Sequence, residues 1–243
     1  MLHYTREGSG KVLVLIHGFL GGMAIFDKII EPLTQTFDVI AVDLPGHGQS
    51  ELGEDKDYTI QRYAEDVVEV LLKEKVESAN WLGHSMGGYI MLAALEKKLF
   101  PIDKAILLYS TDVADTLEAT EKRTKQQYEI HESGVGSFVD GMIDQLLAPE
   151  AKTDDILLAK EVAYEATSDG LVAALGAMMT RSDQRKLVAN IEIPLLIIEG
   201  EQDQVVKPIE VYNRHVQKVT TNTGHLGMLE DSKAVIQAIR EFL

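Results

Sequence analysis

The stretch Trp81-Leu82-Gly83-His84-Ser85-Met86-Gly87-Gly88 decides how this chain is read. An apolar run, Asn80–Gly83, leads into it, and a helical pattern, Met86–Lys97, leads out. Ser85 therefore falls on a strand-to-helix turn with the spacing G-x-S-x-G, the pattern of a nucleophile elbow. A turn that tight strains the serine backbone and lifts its hydroxyl clear of the sheet edge. Side chains two positions away on either side would collide, so Gly83 and Gly87 are needed for room. The helix that follows aims its N-terminal amides at the hydroxyl, where they stabilise a developing anion. The alternative is a glycine-rich turn carrying an inert serine.

A nucleophilic serine needs a base, and the base needs an orienting carboxylate. Of the seven histidines, only His215 and His225 follow a late acid in the chain order serine, acid, histidine. His215 lies in a helical pattern, Ile209–Gln217, and reads as a surface residue. His225 lies in Thr223-Gly224-His225-Leu226-Gly227, a loop before the last helix that can carry an imidazole over the sheet edge. The acid candidate is Asp203, just past an apolar strand, with Glu201 beside it and the distant Asp112 as alternatives. A tetrahedral intermediate also needs two donors for its oxyanion. These are the backbone amides of Met86 and of Phe19, the latter in His17-Gly18-Phe19-Leu20-Gly21-Gly22. His17 is expected to bond the loop backbone, with service as a second base as the alternative.

Further out, short apolar runs alternate with amphipathic helical patterns, which describes a mostly parallel sheet with helices on both faces. The core strands read as Lys11–Ile16, Phe37–Val42, Asn80–Gly83, Lys104–Tyr109 and Leu195–Glu199, with a last strand at Gln217–Thr220. Leu2–Arg6 reads as a leading antiparallel strand turned by Gly8-Ser9-Gly10 into the next. Helices are expected at Thr59–Lys73, Met86–Lys97 and Asp231–Phe242. From Thr111 to Lys186 the alternation stops and helix-forming residues dominate. Residues 111–186 are therefore expected to form a helical cap inserted in an α/β core made of 1–110 and 187–243. Leu20, Phe138, Met142, Leu175, Met178 and Leu226 are candidates for lining a substrate pocket. For the cap residues among them, packing of the cap itself is the alternative.

Composition narrows the classes. The chain has 243 residues and no cysteine, which removes a disulfide framework, a thiol nucleophile and a thiolate metal site together, and fits a reducing, cytoplasmic setting. The net charge of −16 disfavours nucleic acid, whose binding begins with cations on phosphates. The longest apolar runs are strand-sized, so no membrane span is expected, and the N-terminus lacks the pattern of a signal peptide. No metal-binding motif occurs, and no metal or cofactor is expected. Gly8-Ser9-Gly10-Lys11 precedes a strand and reads as a turn, not a phosphate loop. The acidic Glu51–Asp57 stretch reads as a solvated loop, with a cation site as the alternative. Oligomeric state leaves no trace in the sequence.

Five segments together resemble the α/β-hydrolase superfamily, in particular its small, cap-bearing, esterase-like members. They are His17-Gly18-Phe19, Asp43-Leu44-Pro45-Gly46-His47-Gly48-Gln49-Ser50, Gly83–Gly88, Gly200-Glu201-Gln202-Asp203 and Gly224-His225, in family order. The resemblance implies Ser85 as nucleophile, His225 as base, Asp203 as orienting acid and the Phe19 and Met86 amides as oxyanion hole. It also implies a structural role for Asp43–Ser50. The chain starts too late for the family's usual first strand, so about seven strands are expected. A small carboxylic ester, or a thioester, is the expected substrate. A carbon–carbon bond hydrolase, a menaquinone-pathway lyase, a cofactor-free perhydrolase and a non-catalytic receptor are the alternatives on this scaffold. Relatives of the lyase tend to carry Arg directly after the elbow glycines, where this chain has Tyr89.

Overall fold

Branched apolar residues dominate Lys11–Ile16, Phe37–Val42 and Leu195–Gly200. In the computed structural model, which describes residues 1–54 and 58–243, each of these runs is a largely buried strand. The strands are β1 (Tyr4–Gly8), β2 (Lys11–Ile16), β3 (Phe37–Val42), β4 (Ala79–His84), β5 (Ile102–Leu108), β6 (Leu195–Gly200) and β7 (Val216–Thr221). Among the described residues they form one sheet in the order β1-β3-β2-β4-β5-β6-β7. All neighbours are parallel except β1, which runs antiparallel to β3. The helices are α1 (Asp27–Thr34), α2 (Ile60–Lys73), α3 (Met86–Lys97), α4 (Leu117–Met142), α5 (Thr153–Tyr164), α6 (Ser168–Met179), α7 (Arg185–Ala189), α8 (Gly227–Glu230) and α9 (Ser232–Phe242).

Two local expectations are corrected. The leading strand begins at Tyr4 rather than Leu2, and it pairs with β3 instead of forming a hairpin with β2. Both edges of β2 are already taken by β3 and β4, so β1 pairs with the outer edge of β3 instead. Arg6 secures that pairing by reaching Asp38 on β3 at 2.7 Å and Glu74 at 2.8 Å. The expected helix over Ile209–Gln217 is absent; the chain there is irregular until β7 begins at Val216. Side chains supply the partners that a helix would have supplied. Glu199 accepts from the Ile209 N–H at 2.6 Å, Lys218 donates to the Ile209 carbonyl at 2.6 Å, and Asn213 Oδ1 accepts from the His215 N–H at 2.9 Å.

The order of the sheet locates the site. From β2 the chain moves outward to β3, then crosses back to β4 on the other side of β2. Connections leave β2 and β4 in opposite directions, and the crevice between their carboxyl ends is where open α/β sheets hold ligands. Ser85 follows β4 and the Phe19 loop follows β2, so both open into that crevice. Helix α3 is buried on nearly all sides from Met86 to Ala94, as its unbroken apolar sequence demands. Helices α4 to α7 all lie between β5 and β6 in sequence. Helix α4 is kinked at Gly134, where φ is 77°, and α7 runs across the expected boundary at residue 186. The acidic stretch Glu51–Asp57 falls partly outside the described residues.

Leu15 lies at the middle of the sheet with no exposed surface. Leu15→Ala should lower the unfolding free energy by about 2–5 kcal/mol, the usual sum of lost transfer and cavity terms. Urea denaturation monitored by Trp81 fluorescence would measure it.

Candidate active site

Ser85 sits at φ 50° and ψ −116°, a conformation that costs a non-glycine residue roughly 1–3 kcal/mol. Three hydrogen bonds hold it there. Its N–H donates to the Leu108 carbonyl at 3.0 Å, and its carbonyl accepts from the Gly88 N–H at 2.9 Å and the Ser110 hydroxyl at 2.7 Å. The two elbow glycines are required by contact. A Cβ on Gly83 would stand 2.3 Å from the Gly87 carbonyl oxygen, and one on Gly87 would stand 2.1 Å from that of Ile16. The turn is thereby pressed against the end of β2.

His225 reaches this hydroxyl from the loop after β7. Its Nε2 lies 2.8 Å from Ser85 Oγ, and its Nδ1 lies 2.8 Å from Asp203 Oδ2. An ionised carboxylate only accepts, so Nδ1 carries the proton and Nε2 is left to accept from the serine hydroxyl. Asp203 Oδ1 is itself held by the Val205 and Val206 N–H groups at 2.7 and 3.2 Å. The side chains of His225 and Asp203 are each 3% exposed, so their hydrogen bonds compete with little water. The backbone of His225 is pinned on both sides: its N–H donates to the Leu146 carbonyl at 2.8 Å, and its carbonyl accepts from His84 Nε2 at 3.0 Å. Burial, reinforced by the neighbouring His225 ring, holds His84 well below the ordinary imidazole range and therefore neutral.

The loop after β2 lies against the same hydroxyl. A Cβ on Gly18 would come 2.8 Å from Ser85 Cβ, so the loop backbone passes directly over the serine. Phe19 follows at once, and the Met86 N–H opens α3, whose first-turn amides have no acceptor within the helix. His17 shapes the loop: its Nε2 accepts from the Leu44 N–H at 2.9 Å, and its Nδ1 donates to the Gly18 carbonyl at 2.7 Å. Asp43 is buried and gathers His3 and the Met23 and Gln49 N–H groups. His47 donates from Nδ1 to the Pro45 carbonyl at 3.1 Å; burial and then the adjacent His17 push it down to about 3.

The structure thus brings Ser85, His225 and Asp203 into one hydrogen-bonded line. His215 stands elsewhere, beside Arg214. Glu201 is exposed. Asp112 faces a cavity of about 260 Å³ behind Tyr89, which also takes in Thr59, Glu96 and Arg181. Of the pocket candidates, Phe138 packs its ring against Phe19 at 6.2 Å, and Met142 accepts from Gln126 at 3.7 Å. Leu20, Leu175, Met178 and Leu226 are buried apolar residues. Sequence reasoning passed over Ser110, His84 and the Leu146 carbonyl. The first two carried a faint signal, standing just past β5 and directly before Ser85; a carbonyl carries none.

An alpha/beta hydrolase fold family model matches residues 11–131. With that match, the sheet order and the neighbouring structures, the chain has the α/β-hydrolase fold. A thermophilic esterase from Thermogutta terrifontis, solved with malate bound, has a TM-score of 0.92 at 26% identity, covering 99% of this chain and 92% of that one. A pimeloyl-acyl-carrier-protein methyl ester esterase from Aliivibrio fischeri is 27% identical, with 100% of this chain and 97% of that protein aligned. The uncharacterized hydrolase YugF of Bacillus subtilis is 41% identical over 109 residues, 45% of this chain, and the match spans only 40% of that protein's length.

Two outcomes follow from this geometry. Gly87→Ala should abolish the elbow, because the added carbon meets backbone that cannot move aside. A fall in melting temperature together with lost labelling of Ser85 by a fluorophosphonate would show it. His47 concerns acid stability. An unfolded imidazole protonates near 6.5 and folded His47 only near 3, so the unfolded state holds more protons in between and stability falls as pH drops through that window. Asp66, pushed up to about 6 chiefly by burial, acts with the opposite sign below that value. His47→Asn should therefore flatten the decline of unfolding free energy below pH 6 by up to about 1.4 kcal/mol per pH unit in urea titrations.

Proposed function

We propose that this chain is a serine hydrolase that cleaves small carboxylic esters, thioesters included, through an acyl-enzyme on Ser85. One observation carries the reading: the unbroken line from Asp203 through His225 to Ser85, each link 2.8 Å long. His225 Nε2 takes the proton as Ser85 Oγ bonds to the ester carbonyl carbon. The carbonyl oxygen becomes an oxyanion held by the Phe19 and Met86 amides. Asp203 keeps the imidazole in the right tautomer and stabilises the imidazolium. When the carbon–oxygen bond to the leaving group breaks, His225 returns its proton to the departing alcohol. Water then repeats the sequence: His225 takes its proton, its oxygen attacks the acyl carbon, and Ser85 is released with its proton restored.

Several features support this reading over an inert scaffold. The strained serine is costly to keep, and strain of that kind persists where the surroundings over-determine it. Relatives named as esterases align along nearly the whole chain. The helices between β5 and β6 would serve as the cap in this reading, with the Phe138 ring against that of Phe19.

Ser85→Ala should lower kcat on a short nitrophenyl ester by roughly 10³-fold or more, on the pattern of triad deletions. The wild-type chain should take a fluorophosphonate on Ser85 alone. Near-full turnover by the purified variant would refute the assignment. A series of acyl chain lengths then reads the pocket: esterase action shows as a graded preference, whereas a carbon–carbon hydrolase or lyase turns over all of them poorly.

A further inference from the structure

Glu230 ends α8, five residues after His225, and the relay makes no use of it. Its Oε2 accepts two backbone N–H groups, from Gly224 at 3.1 Å and from Ala148 at 3.0 Å. Gly224 directly precedes His225. Ala148 belongs to the segment that leaves the 3₁₀ turn Ile143–Leu146 behind α4. The two backbones are in contact: a Cβ on Gly224 would lie 2.5 Å from the Ala148 nitrogen. Beside them the His225 N–H donates to the Leu146 carbonyl at 2.8 Å. One carboxylate oxygen therefore staples the histidine loop to residues 146–148. A second tie lies next to it, where Lys28 donates to the Leu229 carbonyl at 3.1 Å and pairs with Asp155 on α5.

The other oxygen, Oε1, is buried and has no partner among the described residues. Burying a carboxylate oxygen unpaired is costly, so a group that only filled space here would be better apolar. What the carboxylate supplies is an acceptor between two donors that belong to different parts of the chain. From the other side His84 holds the His225 carbonyl at 3.0 Å. The backbone that aims the imidazole is thus clamped front and back, and the front clamp runs through Leu146 and Ala148 of the insertion.

We propose that Glu230 is a positioning residue. By joining Gly224 to Ala148 it keeps His225 Nε2 on the Ser85 hydroxyl, and it makes that alignment depend on the 146–148 segment being seated. The proposal rests on the serine-hydrolase reading above. Misplacing a reacting group by about 1 Å can cost on the order of 10²-fold in rate, so a small loop shift suffices.

Three variants test it on a nitrophenyl ester, with fluorophosphonate labelling of Ser85 as a second readout. Glu230→Ala should lower kcat and the labelling rate together by about 10- to 100-fold while KM moves by no more than about twofold. Glu230→Gln sets an amide oxygen where Oε2 stands and should retain kcat within about threefold. Glu230→Asp keeps the charge but is one methylene short of both amides, and should lose about tenfold. Asp outperforming Gln would overturn the proposal, as would effects confined to KM or to melting temperature. If the alanine variant fails to fold, the order of Gln and Asp still decides. An active Ser85→Ala would sink the underlying reading; an inactive Ser85→Ala beside a fully active Glu230→Ala would sink only the role of Glu230.

Discussion

The whole arrangement depends on holding one serine in a backbone conformation it would not choose. Ser85 stays at φ 50° because β4 ends against β2, because Gly83 and Gly87 let the turn close, and because Leu108 and Ser110 take up its N–H and carbonyl. Remove any of these and the serine can relax toward an ordinary turn, with its hydroxyl falling back along the sheet. The strain is held by central strands buried on both faces, where a local adjustment has no room to spread.

That constraint was legible in the sequence because it is written in residue identity. Glycines two positions either side of a serine, between an apolar run and a helical pattern, have few other physical explanations. Strand positions were legible for a similar reason: strands covered on both faces must be apolar without alternation, and Val12–Ile16 and Leu195–Ile198 are. Asp203 and His225 could be chosen over their neighbours because each follows a strand at the carboxyl edge of the sheet, and side-chain chemistry is visible in a one-dimensional string.

What the string hides is pairing and backbone chemistry. Nothing in Leu2–Gly10 says that both edges of β2 are already occupied, so a hairpin was the natural local reading. Ile209–Gln217 carries a helical pattern, but the Glu199, Asn213 and Lys218 side chains bond its Ile209 and His215 backbone groups and leave no reason to coil. The Leu146 carbonyl that holds the His225 N–H could belong to any residue type, and Glu230 looks like one more acid in a chain with 39 of them. Tertiary contacts made by main-chain atoms have no residue signature.

The same distinction explains the part played by the end of β5, which contributes no member of the hydrogen-bonded line yet bonds to each of the three segments that carry it. Leu108 and Ser110 hold Ser85; the Tyr109 N–H donates to the Ile198 carbonyl on β6, the strand that leads to Asp203. The Tyr109 hydroxyl meets the Thr221 hydroxyl at 2.9 Å and accepts from that of Thr223 at 3.3 Å, at the start of the loop that carries His225. Tyr109 is itself held at φ 47°, so a second strained residue sits one strand away from the first. Three arms from β4, β6 and β7 can meet within hydrogen-bonding distance only if their spacing is fixed more tightly than loops allow. The end of β5 supplies that fixed reference. The geometry of the site is thus a property of the sheet edge as a whole, and its precision comes from residues that never touch the reacting atoms.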